Sequence, residues 1–122
     1  MSIERNKKLV LRVFDEVFNG RALSLVGEIY DPEVVDHSAF PDQAPGAKGI
    51  TSAIQGLLDT VDGLTINVED VIGEGDRGVT LENWKGTYRG TGKTVQGQVI
   101  HIFRIQNDRI TDEWSRGFDW LE

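Results

Sequence analysis

The stretch from Val95 to Ile105, VQGQVIHIFRI, decides the fold of this chain. Its side chains fall into two sets with a period of two, which is the spacing of a β-strand with two different faces. Val95, Val99, His101, Phe103 and Ile105 share one face, and Ile100, Ile102 and Arg104 share the other. Apolar residues on both faces predict a long strand in the middle of a sheet.

The same period extends to both sides of this stretch. Alternating residues predict strands from Leu64 to Val68, from Val79 to Trp84 and from Ile110 to Ser115. Turns are predicted where glycine, asparagine or aspartate cluster, at 73–76, 90–93 and 107–108. The second half of the chain therefore predicts about four antiparallel strands.

The first half has the three- and four-residue spacing of amphipathic helices. Ser2 is a candidate N-cap for the first helix, and Asn19-Gly20 ends it. A shorter helix is predicted from Leu23 to Tyr30, closed by Asp31-Pro32. A short strand at 34–37, a loop at 38–48 and a third helix from Ile50 to Val61 follow.

Helices followed by strands favour an α+β fold over alternating βαβ units. We expect residues 1–122 to form a single domain, in which a strongly curved antiparallel sheet is covered by three N-terminal helices and a pocket opens at the wide end. Gly86, Gly90 and Gly97 are interpreted as bulges or bends that let the sheet curl. The pattern does not decide which face of the strands lines the pocket.

Composition narrows the classes of partner. The net charge of −7 argues against nucleic acid and anionic membranes, because phosphate groups would be repelled. The N-terminal residues have helical spacing and no continuous apolar run, so we expect neither a secretory signal nor a membrane span. The absence of cysteine suits a reducing compartment, and we predict a cytoplasmic protein.

Several short stretches, in this order along the chain, resemble the SnoaL-like polyketide cyclases of the nuclear-transport-factor-2-like superfamily. They are Val17-Phe18-Asn19-Gly20, the segment from Ile29 to His37, Pro45-Gly46, the segment from Val68 to Arg77, Gly86-Thr87-Tyr88, and Arg109 to Trp114 with Asp119 five residues beyond Trp114. This resemblance implies a cone-shaped fold, a homodimer built through the sheet, and intramolecular aldol ring closure of a polyketide without a metal or organic cofactor. It also implies that Asp119 takes the acid/base role.

Aldol closure requires a base for a proton beside a carbonyl group and a donor for the enolate oxygen. Asp119 lies between Phe118 and Trp120 and is the first candidate for the acid or base. His37 and His101 are the candidate donors or proton shuttles. With these two histidines and no cysteine, we expect no metal site.

Aromatic residues are the candidates for binding an apolar substrate: Trp84, Trp114, Tyr30 and Phe103. Ordinary core packing is the competing interpretation for each tryptophan. The carboxylates Glu82, Asp112 and Glu113 also lie on predicted strands, and we interpret them as parts of solvated sheet faces.

Two classes of function stay open at this point. The first is a small enzyme that performs acid/base chemistry on an apolar carbonyl compound, with an isomerase and an epoxide or ester hydrolase as alternatives on the same scaffold. The hydrolase would need Arg104 or Arg116 beside two aspartates. The second class is a non-catalytic module that binds a hydrophobic small molecule, because the stretch from Gly86 to Val95 is shorter than in many cyclases.

Overall fold

The computed structural model describes residues 2–121. Its helices are α1 (Ile3–Arg12), a π-helix (Val13–Asn19), a 3₁₀ turn (Leu23–Leu25), α2 (Val26–Ile29), α3 (Gly46–Thr60) and a C-terminal 3₁₀ turn (Phe118–Leu121). Its strands are β1 (Tyr30–Asp36), β2 (Val61–Glu74), β3 (Arg77–Tyr88), β4 (Thr94–Gln106) and β5 (Arg109–Arg116). No helix within residues 2–121 is long and apolar enough to cross a membrane.

The first helix begins where its cap predicts and changes form before it ends. Ser2 Oγ accepts a hydrogen bond from the Arg5 backbone N–H at 3.1 Å. The seven residues from Val13 to Asn19 are π-helical. The Asn19 amide at their end pairs with the backbone of Ile66, donating to its carbonyl at 2.7 Å and accepting from its N–H at 2.9 Å. Asn19 therefore occupies both backbone groups of Ile66, as a neighbouring strand would, and fixes the helix to β2.

The sheet has five strands in the order β1-β5-β4-β3-β2. Strands β2 to β5 pair antiparallel, as predicted, whereas β1 lies parallel to β5 at one edge. The sheet is therefore mixed. Strand β1 begins at Tyr30 and includes Asp31-Pro32, which the sequence had suggested as a helix end. An edge strand tolerates Pro32 because one of its sides needs no ladder hydrogen bonds.

Of the glycines that the sequence suggested as bulges or bends, Gly86 lies opposite a register shift of the sheet, between the partners Lys85 and Thr87. Register shifts lie in β2, between Asp62 and Thr65 and between Val68 and Asp70. A side chain at Gly86 would collide with Val61, and one at Gly97 would collide with the Trp120 ring. Gly97 therefore permits close packing in a regular part of the ladder, and Gly86 permits close packing opposite the bulge of β2.

The strand faces that the sequence left open are resolved by burial. On β4 the predicted set faces the interior: Val95, Val99, His101, Phe103 and Ile105 are all buried. On β3 the buried set is Thr80, Glu82 and Trp84, whereas Val79 and Leu81 lie on the outer face and are only partly buried. The interior of the cone thus receives polar side chains from the neighbouring strands β3 and β4.

Candidate functional site

A cavity of about 40 Å³ lies between the sheet, α3 and the π-helix. Its apolar wall includes Phe18, Ile54, Trp84 and Phe118. The polar side chains that line it are Tyr30, Asp36, Ser38, Gln43, His101, Glu113 and Ser115. An apolar hollow with a few converging polar groups is the usual form of a small-molecule site, although this one has room only for a few water molecules as it stands.

Glu82 lies beside the cavity wall and is completely buried. Its Oε1 accepts from Trp84 Nε1 at 3.0 Å, and its Oε2 accepts from Thr80 Oγ1 at 2.6 Å. His101 Nδ1 lies 2.9 Å from Oε1 and 3.1 Å from Oε2. Thr80, Glu82 and Trp84 reach one another because alternate residues of a strand share a face. His101 joins them because it pairs with Thr80 in the β3–β4 register.

The His101 ring has one nitrogen on Glu82 and lines the cavity itself. No residue from 2 to 121 forms a hydrogen bond with its Nε2. Burial lowers the pKa of His101, but the hydrogen bond and charge of Glu82, with Glu113 and Asp36 behind it, outweigh burial, so that the pKa is raised above 6.5. The raised pKa extends the imidazolium form of the ring to higher pH than in a free histidine side chain.

Glu113 contributes a second buried carboxyl to the cavity. Its Oε1 accepts from the Tyr30 hydroxyl at 3.0 Å. The pKa of Glu113 is raised from 4.5 to about 7, because burial and the negative charges of Asp36 and Glu82 together outweigh the opposing effects of His101 and Tyr30. Burial and the Glu113 charge likewise raise the pKa of the Tyr30 phenol. Glu113 is therefore a carboxyl that exchanges its proton near neutral pH.

The loop after β1 is held over the cavity by polar contacts. Asp36 accepts from the Ser38 backbone N–H at 3.0 Å and from Gln43 Nε2 at 3.0 Å. Ser38 Oγ in turn accepts from the Ser115 backbone N–H at 3.0 Å. These bonds keep Asp36 close enough to influence the protons of Glu113 and His101.

Phe118 closes the cavity from the C-terminal turn. Its ring lies 5.4 Å from that of Phe40, 5.2 Å from Trp84 and 6.1 Å from His101, centroid to centroid. Gly117 before it has φ of 111°, a backbone conformation that favours glycine. The C-terminal turn is thus the part of the cavity wall that contacts the loop after β1 as well as strands β3 and β4.

This arrangement of buried acid and base groups lies in a fold that other proteins share. The family model for SnoaL-like polyketide cyclases matches residues 8–117. This chain belongs to that family. No curated protein matches it by sequence.

Solved structures agree with this fold. TsrD from Streptomyces laurentii has a TM-score of 0.87 at 21% identity, over 99% of this chain and 92% of TsrD. IdmH from Streptomyces antibioticus has a TM-score of 0.80 at 20% identity, over 92% of this chain and 91% of IdmH. A SnoaL-like polyketide cyclase from Agrobacterium tumefaciens C58 has a TM-score of 0.80 at 17% identity, over 96% and 92% of the two chains. At these identities the comparisons show the nuclear-transport-factor-2-like fold and leave the reaction to the residues of the site.

The SnoaL-like domain brings three of the predicted site residues to its cavity: Tyr30, Trp84 and His101. Asp119, the first choice for the acid or base, is exposed and does not line the cavity. The prediction that its carboxyl is held in an apolar hollow is therefore wrong. The physical reason lies in the C-terminal turn, which directs the Phe118 ring inward and leaves the next side chain in solvent.

The other predicted residues lie away from the cavity. The His37 ring stacks on Trp114, with centroids 4.4 Å apart, and its Nε2 lies 2.9 Å from Asp112 Oδ2. Trp114 is on the outer face of the sheet, with the Arg77 guanidinium 4.9 Å from its ring centre. Phe103 is fully buried but stacks behind His101 at 5.3 Å, so that it supports the imidazole rather than lining the hollow.

The interpretation of the strand carboxylates as solvated is wrong for Glu82 and Glu113, which are 0% and 7% exposed. A signal for Glu82 was present in the sequence. Trp84 shares its strand face, and a face that buries a tryptophan buries its neighbour two residues earlier. Among residues 2–121, no cluster of three or more histidine, aspartate or glutamate side chains has the arrangement of a metal site.

We expect Glu113→Gln to remove one component of the pH dependence of stability. Glu113 binds its proton more tightly in the folded state, so its contribution is complete below pH 4.5 and is lost as pH rises through about 7. The difference between these two pKa values predicts that the free energy of unfolding of the wild type falls by about 2–3 kcal/mol, relative to that of Glu113→Gln, between pH 5 and pH 8. Urea unfolding at both pH values measures it. Glu74→Gln, at an exposed glutamate, is the control, and an equal gap at both pH values would contradict the assignment.

We expect Phe118→Ala to enlarge the cavity and allow a small aromatic ligand to bind, because the ring fills the space between Phe40 and Trp84. With indole at ten times its Kd, the variant should gain about 1.4 kcal/mol of stability. Thermal unfolding with and without indole measures the gain. Leu121→Ala in the same turn, whose side chain does not line the cavity, should gain nothing. Equal responses of the two variants would show that Phe118 does not close the site.

Proposed function

We propose that this SnoaL-like domain is a polyketide cyclase-like enzyme that performs cofactor-free acid/base chemistry on an apolar carbonyl compound, with intramolecular aldol condensation as the reaction. One observation carries the proposal. Glu113, a buried carboxyl with its pKa raised to about 7, lines the same apolar cavity as the His101 imidazole. A base whose pKa lies near the working pH is the most effective for removing a carbon-bound proton.

The roles follow from the protonation states. Ionised Glu113 takes the proton from the carbon beside the carbonyl group, while the Tyr30 hydroxyl keeps its carboxyl in place. Protonated His101 donates a hydrogen bond from Nε2 to the enolate oxygen that forms, and keeps its proton. The enolate carbon then bonds to a second carbonyl carbon of the same molecule. The alkoxide produced takes back the proton from Glu113, so that acid and base are restored.

Substrate entry requires the closing aromatic rings to move. The cavity of about 40 Å³ is far smaller than the roughly 300 Å³ of a typical ligand site. Displacement of Phe118, and of Phe40 against it, would join the cavity to solvent, because both rings line the cavity, contact each other and are partly exposed. The proposal therefore includes opening at the C-terminal turn before chemistry.

A carrier of a hydrophobic small molecule is the second candidate, and the mostly apolar wall favours it. Isomerisation of a double bond would use the same proton transfers as the aldol reaction. The hydrolase alternative has less support. Arg104 bonds to Asp76 at 3.1 Å and Arg116 to Ser38 at 2.9 Å, and no arginine is among the described residues that line the cavity.

We expect the wild type to catalyse exchange of deuterium from heavy water into the methyl group of acetophenone, which reports proton removal beside a carbonyl group. Glu113→Gln should lower the rate by about a hundred- to ten-thousand-fold, because it removes the base and keeps the shape. Proton NMR follows the exchange. Asp119→Asn is the matched control and should keep the wild-type rate, since that carboxyl is exposed. Loss in Asp119→Asn without loss in Glu113→Gln would return the role to Asp119.

We also propose a homodimer formed through the outer face of the sheet. Ile72 and Ile100 on this face are 58% and 46% exposed, and Ile102 and Trp114 lie beside them. One row across the sheet runs Asp70, Leu81, Ile100, Arg116. A two-fold axis through the middle of that row would bring Asp70 of one copy to Arg116 of the other, as a self-complementary interface requires.

We expect Ile100→Asp to convert the dimer to a monomer, because it puts two like charges near the symmetry axis. Asp70→Arg alone should weaken the dimer, and the double exchange with Arg116→Asp should restore it. Analytical ultracentrifugation measures the mass. Ser52→Asp on α3, away from the sheet face, is the control for added charge. A wild-type monomer at all concentrations would refute the interface, and the cytoplasmic location stays a prediction from the sequence.

A further inference from the structure

We propose that Glu82 is a positioning residue that fixes the His101 ring with its Nδ1–H toward the sheet and its Nε2 toward the cavity. The catalytic consequence of this role rests on the proposed function. The orientation itself is a property of the folded chain and is measurable without any substrate.

The hydrogen bonds at Glu82 determine where the histidine proton lies. The indole Nε1–H of Trp84 can only donate, so Glu82 Oε1 is an acceptor in that bond at 3.0 Å. His101 Nδ1 lies 2.9 Å from the same oxygen. If this oxygen accepts in both bonds, the imidazole nitrogen facing it carries a proton, and this is the arrangement that the proposal assigns. Nε2 is then the nitrogen that gives or takes a proton in the cavity.

The anchoring of Glu82 makes this orientation rigid. The carboxylate is fully buried, and Thr80 Oγ1 holds its second oxygen at 2.6 Å. A buried charge without partners is costly, so the three donors and the carboxylate depend on one another. The ring also packs against Phe14, at 5.5 Å and edge-on, and against Phe103, at 5.3 Å and stacked. Rotation of the imidazole would break the bond to Glu82 and disturb this aromatic packing.

Other charged groups face His101 and must be distinguished from Glu82. Glu113 comes from β5 and Asp36 from β1, and both act on His101 through their charge alone. Tyr30 faces Glu113 rather than the imidazole. The groups packed against the ring from the π-helix and from the C-terminal turn are Phe14 and Phe118, which carry no charge. Glu82 is therefore the anion within this set that contacts the ring directly.

The test is nitrogen NMR of the protein labelled with ¹⁵N-histidine. The chain has two histidines, so His37→Asn assigns both sets of signals without touching the site. We expect neutral His101 to be the Nδ1–H tautomer, the opposite of the form that a free histidine side chain prefers. A neutral His101 in the Nε2–H form would overturn the proposal. This measurement needs only the wild type and the assignment variant.

Glu82→Gln separates charge from shape. The amide oxygen in the place of Oε1 still accepts from Trp84 and His101, and the amide nitrogen in the place of Oε2 donates to Thr80 Oγ1. We expect the pKa of His101 to fall, because the charge of Glu82, which opposes the effect of burial, is removed while Glu113 and Asp36 are unchanged. The pKa of His37 should not change. An unchanged His101 pKa in folded Glu82→Gln would overturn the proposal.

The deuterium exchange assay distinguishes this proposal from the proposed function. If the Nδ1–H tautomer and the fall in pKa are observed but no exchange occurs, Glu82 positions His101 and the enzymatic proposal fails. If exchange depends on Glu113 but His101 has the other tautomer, the enzyme stands and the role of Glu82 fails. Should Glu82→Gln not fold, the tautomer of the wild type alone decides.

Discussion

A carboxylate buried in the middle of a β-sheet is the constraint on which the interior of this domain depends. Glu82 is removed from water on a strand whose neighbouring inward residues are Thr80 and Trp84. Ionised carboxylates accept hydrogen bonds and have no donor of their own, so every neighbour that reaches Glu82 must supply a proton. Threonine, tryptophan and histidine side chains do so here, and the histidine ring is thereby fixed between the sheet and the cavity.

The fold makes this arrangement by simple geometry. The pleat of β3 presents three consecutive inward side chains, and the β3–β4 register puts His101 opposite the first of them. On the other side of β4, strand β5 supplies Glu113, and the parallel edge strand β1 supplies the Tyr30 hydroxyl that bonds to it. The parallel edge strand β1 is therefore part of the site. Without it, a sheet of four antiparallel strands would leave Glu113 without the hydrogen bond from the Tyr30 hydroxyl.

The architecture was largely predictable from periodicity. The division of β4 into two faces, the helical stripe before Asn19 and the turn at Asn107-Asp108 all follow from local patterns that the structure confirms, whereas the choice of the inward face came from burial alone. The parallel pairing of β1 with β5 was not predictable in this way, because it joins segments about 80 residues apart and leaves no local signal.

The site was less predictable than the fold, and the reason is physical. The expectation that a strand carboxylate faces solvent fails at Glu82. There three hydrogen-bond donors, on alternate residues of the same strand and on the neighbouring strand, stabilise the buried carboxylate. The aromatic neighbours of Asp119 suggested burial, but neighbours in sequence do not share an environment in a tight turn. There Phe118 fills the cavity and the next side chain meets water.

Stability alone does not account for the polar interior. Replacing buried ion pairs by apolar residues of similar volume is often neutral or stabilising, so a requirement for stability does not by itself select a carboxylate at 82 and a histidine at 101. Glu113 adds a cost of its own above neutral pH, where its ionisation opposes folding. A chain that keeps both groups around one apolar hollow holds a carboxyl that ionises near pH 7 and an imidazole whose pKa is raised above 6.5. The interior thus brings the proton affinities of a carboxyl and an imidazole toward each other near the working pH, where each group can take a proton and return it, and this is the physical argument for an enzyme over a carrier.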